Sequence, residues 1–264
     1  AEVGIRCANG DLRGFYALLP FQLTGAQRRA AEDAARDLTR GVPMNRLLQG
    51  DVGSGKTVVG AACVWLMAQN GYQSALMAPT EILAQQHAQT LQTLLAPSGI
   101  RVGLLTGSLR AAEKRKIYDA MATGAVDLVV GTHALLTDEV TFANLGLVIT
   151  DEQHRFGVNQ RAALAQKGKG IRPHVLVMSA TPIPRTLALL LYGDLEVSII
   201  DERPPGRQNV DTFLVGEALR QRMYGFVRKQ VQEGHQVYMV CPAVEEGQED
   251  GQDLKAVTTY AQTL

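Results

Sequence analysis

Seven short apolar runs recur along the chain: NRLLQ from Asn45, SALMAP from Ser74, VGLLTG from Val102, VDLVVG from Val126, LGLVIT from Leu145, HVLVMSA from His174 and EVSII from Glu196. They are continuous rather than alternating, the pattern of strands buried on both faces. Between most of them lie segments with helical periodicity: TVVGAACVWLMAQN, EILAQQHAQTLQTLL and AAEKRKIYDAMATG. Ahead of the first of these runs, the region after TGAQ reads as an amphipathic helix whose Ala30, Ala34 and Leu38 share a face and whose stop is Gly41. Continuous strands joined through helices predict an α/β fold, a mostly parallel sheet flanked by helices on both faces.

DERPPGRQN, Asp201 to Asn209, interrupts the pattern with two prolines and a glycine and reads as a linker. A second alternation follows, with VDTFLV and QVYMVCP predicted as strands around the helical ALRQRMYGFVRKQVQEG. The stretch from 210 to 264 is short for an independent core of typical domain size. The acidic run EEGQEDGQD, from Glu245, is predicted to be mobile.

Composition changes this picture little. With 46% of its residues apolar, a chain of 264 residues can bury a sizeable core, in one or two domains. The 26 acidic and 26 basic residues balance, so only local clusters can speak for or against a polyanionic partner. Cys7, Cys63 and Cys241 show no CxxC spacing and read as thiols of a reducing compartment. No basic-then-apolar leader and no membrane-length apolar run is present, so the expectation is a cytoplasmic protein.

The chemistry sits at strand ends. GDVGSGKT, Gly50 to Thr57, matches GxxxxGK[ST] and lies between a predicted strand and a predicted helix. Gly50, Gly53, Ser54 and Gly55 supply a turn whose backbone N–H groups surround phosphate oxygens, Lys56 a charge for the β- and γ-phosphates, and Thr57 a hydroxyl for Mg²⁺. A phosphate loop needs a partner strand whose tip holds the metal and positions water. LGLVIT ends in Asp151 and Glu152: Asp151 is expected to bind Mg²⁺, and Glu152 to orient or activate the attacking water. MSATPIPRT, Met178 to Thr186, taken by itself reads first as a Pro-rich turn opening a helix. Its small hydroxyls, Ser179 and Thr181, are the alternative interest.

Taken together and in order, GxxxxGKT, APTEILAQQH, TGS, GTHALL, DEQH and SATPIPRT resemble the superfamily 2 helicases and translocases, and more narrowly the RecG branched-DNA helicase family. The resemblance runs from about Leu19 to the end of the chain. PTEILAQQH, DEQHRFGVNQR and MSATPIPRTLA are its most specific parts. The transcription-repair coupling translocases share RFGV and TPIPRT but usually carry Glu where this chain has Gln153, and a different residue at Glu81.

The resemblance implies a complete RecA-like P-loop domain over 21–202, after a lead-in over 1–20, then a linker over 203–209 and the start of a second RecA-like domain over 210–264. It implies that Gln27 contacts the adenine of ATP, with Phe21 and Leu23 near the base. Pro79, Thr80, Glu81, Thr106, Gly107, Ser108 and Thr132 would face the DNA track. Gln153 and His154 would couple the ATP site to Ser179 and Thr181. Arg155 opens a basic stretch through Arg161, Lys167, Lys169 and Arg172, with Lys114, Arg115 and Lys116 forming another; both suit either a solvated face or DNA phosphates. The implied partners are duplex and branched DNA, meaning forks and Holliday-type junctions, the cofactors ATP and Mg²⁺, and the motor monomeric. Such motors complete their site with an arginine of a QxxGRxGR motif, and the 264 residues hold none, so this chain alone is expected to bind ATP with little turnover. A coupling-type duplex translocase and a P-loop ATPase or kinase without a DNA partner remain the alternatives.

Overall fold

In the computed structural model, residues 4–151, 172–181, 195–202 and 210–241 are described. All seven apolar runs are strands: β1 (Asn45–Gly50), β2 (Gln73–Met77), β3 (Val102–Leu105), β4 (Leu128–Gly131), β5 (Leu145–Asp151), β6 (His174–Ser179) and β7 (Glu196–Ile200). They form one sheet in the order β3-β4-β2-β5-β6-β1-β7, and every pairing is parallel. The helices fall where the periodicity placed them: α2 (Gly25–Leu38), α3 (Lys56–Gln69), α4 (Glu81–Leu95) and α5 (Ala111–Thr123), after a single short turn α1 (Arg13–Tyr16). No helix among the described residues is long and apolar enough to cross a membrane.

The two largest cores lie on opposite faces of the sheet because strand side chains alternate between faces. One holds Leu48, Leu76, Leu128, Leu147, Ile149, Leu176 and Met178 against the buried sides of α2, α3 and α4. The other holds Ala75, Met77, Leu105, Val129 and Val148 under Met121 of α5 and Phe142. The lead-in is not separate: Ile5, Cys7, Leu12 and Phe15 are buried in the first core, and the backbone N–H of Cys7 donates to the Leu38 carbonyl at 2.9 Å. Ala30, Ala34 and Leu38 do share the buried face of α2. That helix starts with a capping box, in which the Thr24 hydroxyl accepts from the Gln27 N–H and the Gln27 side-chain oxygen accepts from the Thr24 N–H.

Two buried polar groups anchor the sheet, one to helix α2 and one between its own strands. The Arg46 guanidinium of β1 donates to Asp37 Oδ2 of α2 and to Ser198 Oγ of β7, each at 2.7 Å, with Arg46 and Asp37 side chains only 5% and 6% exposed. Ser198 in turn donates to Asp33 at 3.0 Å. His174, at the start of β6, is fully buried, and its Nδ1 accepts the Met44 N–H at 2.9 Å. Burial pushes its pKa from 6.5 down to about 4, because a charged ring there would lose hydration and its acceptor nitrogen.

The chain divides into two units, Ala1–Arg207 and Gln208–Leu264. In the second unit α6 (Arg220–Gln232) forms as predicted. VDTFLV and QVYMVCP do not form strands: 210–215 and 236–240 lack ladder pairing, and Phe213, Leu214, Tyr238 and Val240 are exposed. An apolar run becomes a strand only when a neighbour supplies the ladder, and a lone strand-helix-strand pattern has too few partners to do so. The acidic run from Glu245 lies outside the described residues.

Two outcomes follow from the buried groups. Asp37→Ala leaves the Arg46 guanidinium buried without its carboxylate and lowers stability by about 3 kcal/mol or more, read as a drop in the urea midpoint. His174 is neutral in the fold, so its contribution is intact above about pH 6.5 and is lost as pH falls toward about 4, by up to about 3 kcal/mol. Urea titrations across that window detect it, and His174→Gln flattens the slope.

Candidate nucleotide and strand-tip site

Parallel pairing places all seven strand ends on one edge of the sheet, where ligands of open α/β sheets bind. The order along that edge divides the candidate residues. β5, β6 and β1 carry Asp151, Ser179 and the phosphate loop; β2, β4 and β3 lead into Thr80, Thr132 and Thr106. Register refines this: Met178 of β6 is level with both Asp151 of β5 and Leu48 of β1, so the loop begins two residues beyond that level, at Gly50. Asp151 and the loop are two strand steps apart, about 10 Å.

The loop is shaped by what a Cβ would meet. Gly55 sits at φ +89°, the left-handed region, and a Cβ there would run into the Gln27 amide. At Gly50 a Cβ would lie 2.6 Å from Ser54 Oγ. That hydroxyl is buried with no hydrogen-bond partner among the described residues. Gln27 is itself buried and donates through Nε2 to the Ser54 carbonyl at 2.8 Å. Gln27, the helical partner in the capping box of α2, therefore also braces the phosphate loop, while Phe21 is 46% exposed and Leu23 packs on the core. Lys56 Nζ donates to the carbonyls of Gly50 and Asp51 at 2.7 and 2.9 Å, holding its charge over the turn. Behind it α3 is buried almost all round, from Val58 to Met67, which fixes its positive end at the loop.

Asp151 continues the face of Leu147 and Ile149, the face on which α3 packs: a Cβ on Gly60 of α3 would touch Ile149 Cδ1 and Met178 Sδ at 3.6 and 3.7 Å. Its Oδ2 lies 2.5 Å from Nε2 of His87, on α4, and both side chains are nearly buried. Sequence reasoning passed over His87, yet the signal was present. It lies three residues after Ala84 and four before Leu91, both buried, so a polar ring stands on the apolar stripe of α4.

Ser179 and Thr181 hydrogen-bond to each other, Oγ to Oγ1 at 3.1 Å. Thr80 caps α4, its hydroxyl accepting the Leu83 N–H. Glu81 accepts the Ser108 N–H at 3.0 Å, and that hydrogen bonding holds its carboxyl below the ordinary carboxylate range. Lys114 donates to the Gly107 carbonyl at 2.8 Å. Two of the residues expected to face the DNA track are buried. Thr106 and Thr132 are 1% and 2% exposed, because strand-end packing turns their side chains inward; Gly107 and Ser108 are the exposed part of the first loop. Glu152, Gln153, His154 and Arg155 lie outside the described residues, as do Arg161, Lys167, Lys169 and the turn after Thr181.

A bound anion fits the cradle: an inward-turned glycine loop, a lysine, an orphaned hydroxyl and a helix N-terminus. A cation fits less completely by protein alone. Among the described residues no group of three His, Cys, Asp or Glu side chains is placed to hold a metal. Thr57 and Asp151 are hard oxygen donors that suit Mg²⁺ when phosphates and water provide the rest.

Comparison with known proteins agrees with this geometry. The DEAD/DEAH box helicase family model matches residues 24–190. A protein of Aquifex aeolicus (strain VF5) described as ATP-dependent DNA helicase RecG is 53% identical over 94% of this chain and 31% of its own length. The protein of Bacillus subtilis (strain 168) so described is 48% identical over 91% of this chain and 35% of its own. The chain thus spans about a third of the length of the curated relatives it matches. Among solved structures, RecG bound to a three-way DNA junction superposes with a TM-score of 0.77 at 46% identity, over 88% of this chain and 31% of that one. The helicase MrfA bound to DNA and AMPPNP, at 18% identity and a TM-score of 0.62, shares the fold. The RecA-like sheet and the resemblance to RecG read from the motifs are both borne out.

Gly55→Ala tests the cradle. Strain at positive φ and the Gln27 amide both oppose the new Cβ, so affinity for a fluorescent ATP analogue falls more than tenfold, measured by anisotropy.

Proposed function

The chain belongs to the DEAD/DEAH box helicase family, and from that premise we propose that it is the ATP-binding lobe of a motor that moves on duplex DNA and remodels forks and Holliday-type junctions in recombination and repair. The observation that carries this is the split sheet edge, with the phosphate cradle and Asp151 on one half and a row of strand-end loops on the other. Similarity to RecG relatives over about 90% of the chain supports DNA as the partner, and the likeness to RecG bound to a three-way DNA junction supports a branched one.

In this reading Lys56 leaves the carbonyls of Gly50 and Asp51 for the β- and γ-phosphates, and the loop N–H groups with the start of α3 hold the remaining oxygens. Gln27, already joined to Ser54, keeps the loop in its binding form and stands at the adenine end. Thr57 and Asp151 would hold Mg²⁺, which when bound neutralises charge developing on the transferred phosphoryl group. Glu152, next along the chain, orients the attacking water, and Gln153 and His154 pass the change to Ser179 and Thr181. On the other half, Thr80, the exposed backbone of Gly107 and Ser108, and Arg155 contact phosphates, which position a duplex without reading its sequence; Thr106 and Thr132 shape the loops from within. Turnover by this chain alone is low, because a motor of this kind needs an arginine at the γ-phosphate and these residues supply no QxxGRxGR motif.

The test measures ATP binding and hydrolysis by the 264-residue chain, with and without a three-way DNA junction. The expected result is binding that Lys56→Ala weakens at least tenfold, about 1.4 kcal/mol, with negligible hydrolysis in either condition. Hydrolysis that proceeds equally well without DNA favours an ATPase with no nucleic-acid partner. Unchanged binding by Lys56→Ala removes the phosphate-loop assignment.

A further inference from the structure

The two halves of the functional edge meet where β2 lies beside β5. At the functional edge a side-chain hydrogen bond crosses that border: His87 Nε2 of α4, the helix after β2, with Asp151 Oδ2 at the tip of β5. An ionised carboxylate can only accept a hydrogen bond, so the ring donates, and a neutral or a charged imidazole does so alike. The pair is separated by 64 positions in sequence and almost closed to solvent, with side chains 13% and 14% exposed.

The helix bearing His87 is anchored at its N-terminus to the opposite half of the edge. Its N-cap is Thr80, and Glu81 in its first turn accepts the Ser108 N–H of the loop after β3. Along its length Ala84, Leu91 and Leu95 are fully buried. A rigid, packed helix thus joins the Gly107–Ser108 loop to the carboxylate assigned to the metal.

We propose that His87 is a positioning residue: it grips one oxygen of Asp151, sets the orientation in which that carboxylate meets the cation, and ties α4 and its strand-end loop to the state of the nucleotide site. The inference rests on the assignment of Asp151 to Mg²⁺ and adds a residue that this assignment does not contain. Its chemistry is that of groups which orient a metal-binding carboxylate by hydrogen bonding from behind; removing such partners typically costs tenfold to a hundredfold in metal affinity.

The experiment measures affinity for a fluorescent ATP analogue with and without Mg²⁺, using the 264-residue chain and its His87→Ala, His87→Gln and Asp151→Asn variants. The quantity read is the gain in affinity that Mg²⁺ confers. His87→Ala is expected to reduce that gain at least fivefold while the metal-free affinity stays within twofold. His87→Gln, whose Nε2 can reach the same oxygen, keeps most of the gain. A purely structural role would lower both affinities together and would not be rescued by glutamine, and that pattern overturns the proposal, as does a full Mg²⁺ gain in His87→Ala. Asp151→Asn separates the two layers: loss of the gain there with none in His87→Ala sinks the role of His87 alone. An Asp151→Asn chain that keeps the gain removes the metal assignment and the inference with it.

Discussion

Parallel strand pairing is the constraint on which the rest of this structure depends. A parallel ladder cannot be closed by a tight turn, so the chain must cross over between strands, and the helices that make the crossings come to cover both faces. That is why β2 and β4 are buried from end to end, and β5 everywhere but at its last residue, Asp151. It is also why every strand finishes on the same edge. Residues as far apart as Gly50, Thr106 and Asp151 share a neighbourhood for that reason and no other.

Strand order then decides which of these neighbours can work together. Because β6 is inserted between β5 and β1, Asp151 faces the phosphate loop across one intervening strand, the spacing that leaves room for phosphate oxygens and a hydrated cation. Because β2 is the other neighbour of β5, the helix that follows β2 can lean across to the same carboxylate. The phosphate side and the strand-end loops are thus two halves of one edge. His87 and Asp151 are hydrogen-bonded across their border.

Buried polar groups hold this arrangement in one form. Arg46, Asp37 and Ser198 join β1 to α2 and β7 on the outer side of the phosphate loop, and Gln27 joins α2 to the loop itself. An apolar contact would tolerate sliding of α2 along the sheet, whereas a desolvated guanidinium with fixed partners does not, since any slip leaves a buried charge unpaired. The cradle is accordingly braced from behind by a helix whose own start depends on the same glutamine.

The sequence by itself determined the elements and the principal chemistry: seven apolar runs became seven parallel strands, and GDVGSGKT sat between β1 and α3 as its glycine spacing required. These features are local, set by side-chain periodicity and backbone sterics over a few residues, and so can be read without a fold. Other features were settled only by the tertiary structure. VDTFLV carries a strand's composition but has no ladder in the second unit, since pairing is a property of two segments. Thr106 and Thr132 have the hydroxyls that suit phosphate contact, yet packing turned them inward. His87 looked like one polar residue of a helix until strand order brought Asp151 within hydrogen-bonding distance, 64 positions away. Burial and contact depend on what lies across the sheet, and that is decided by the order in which strands pair.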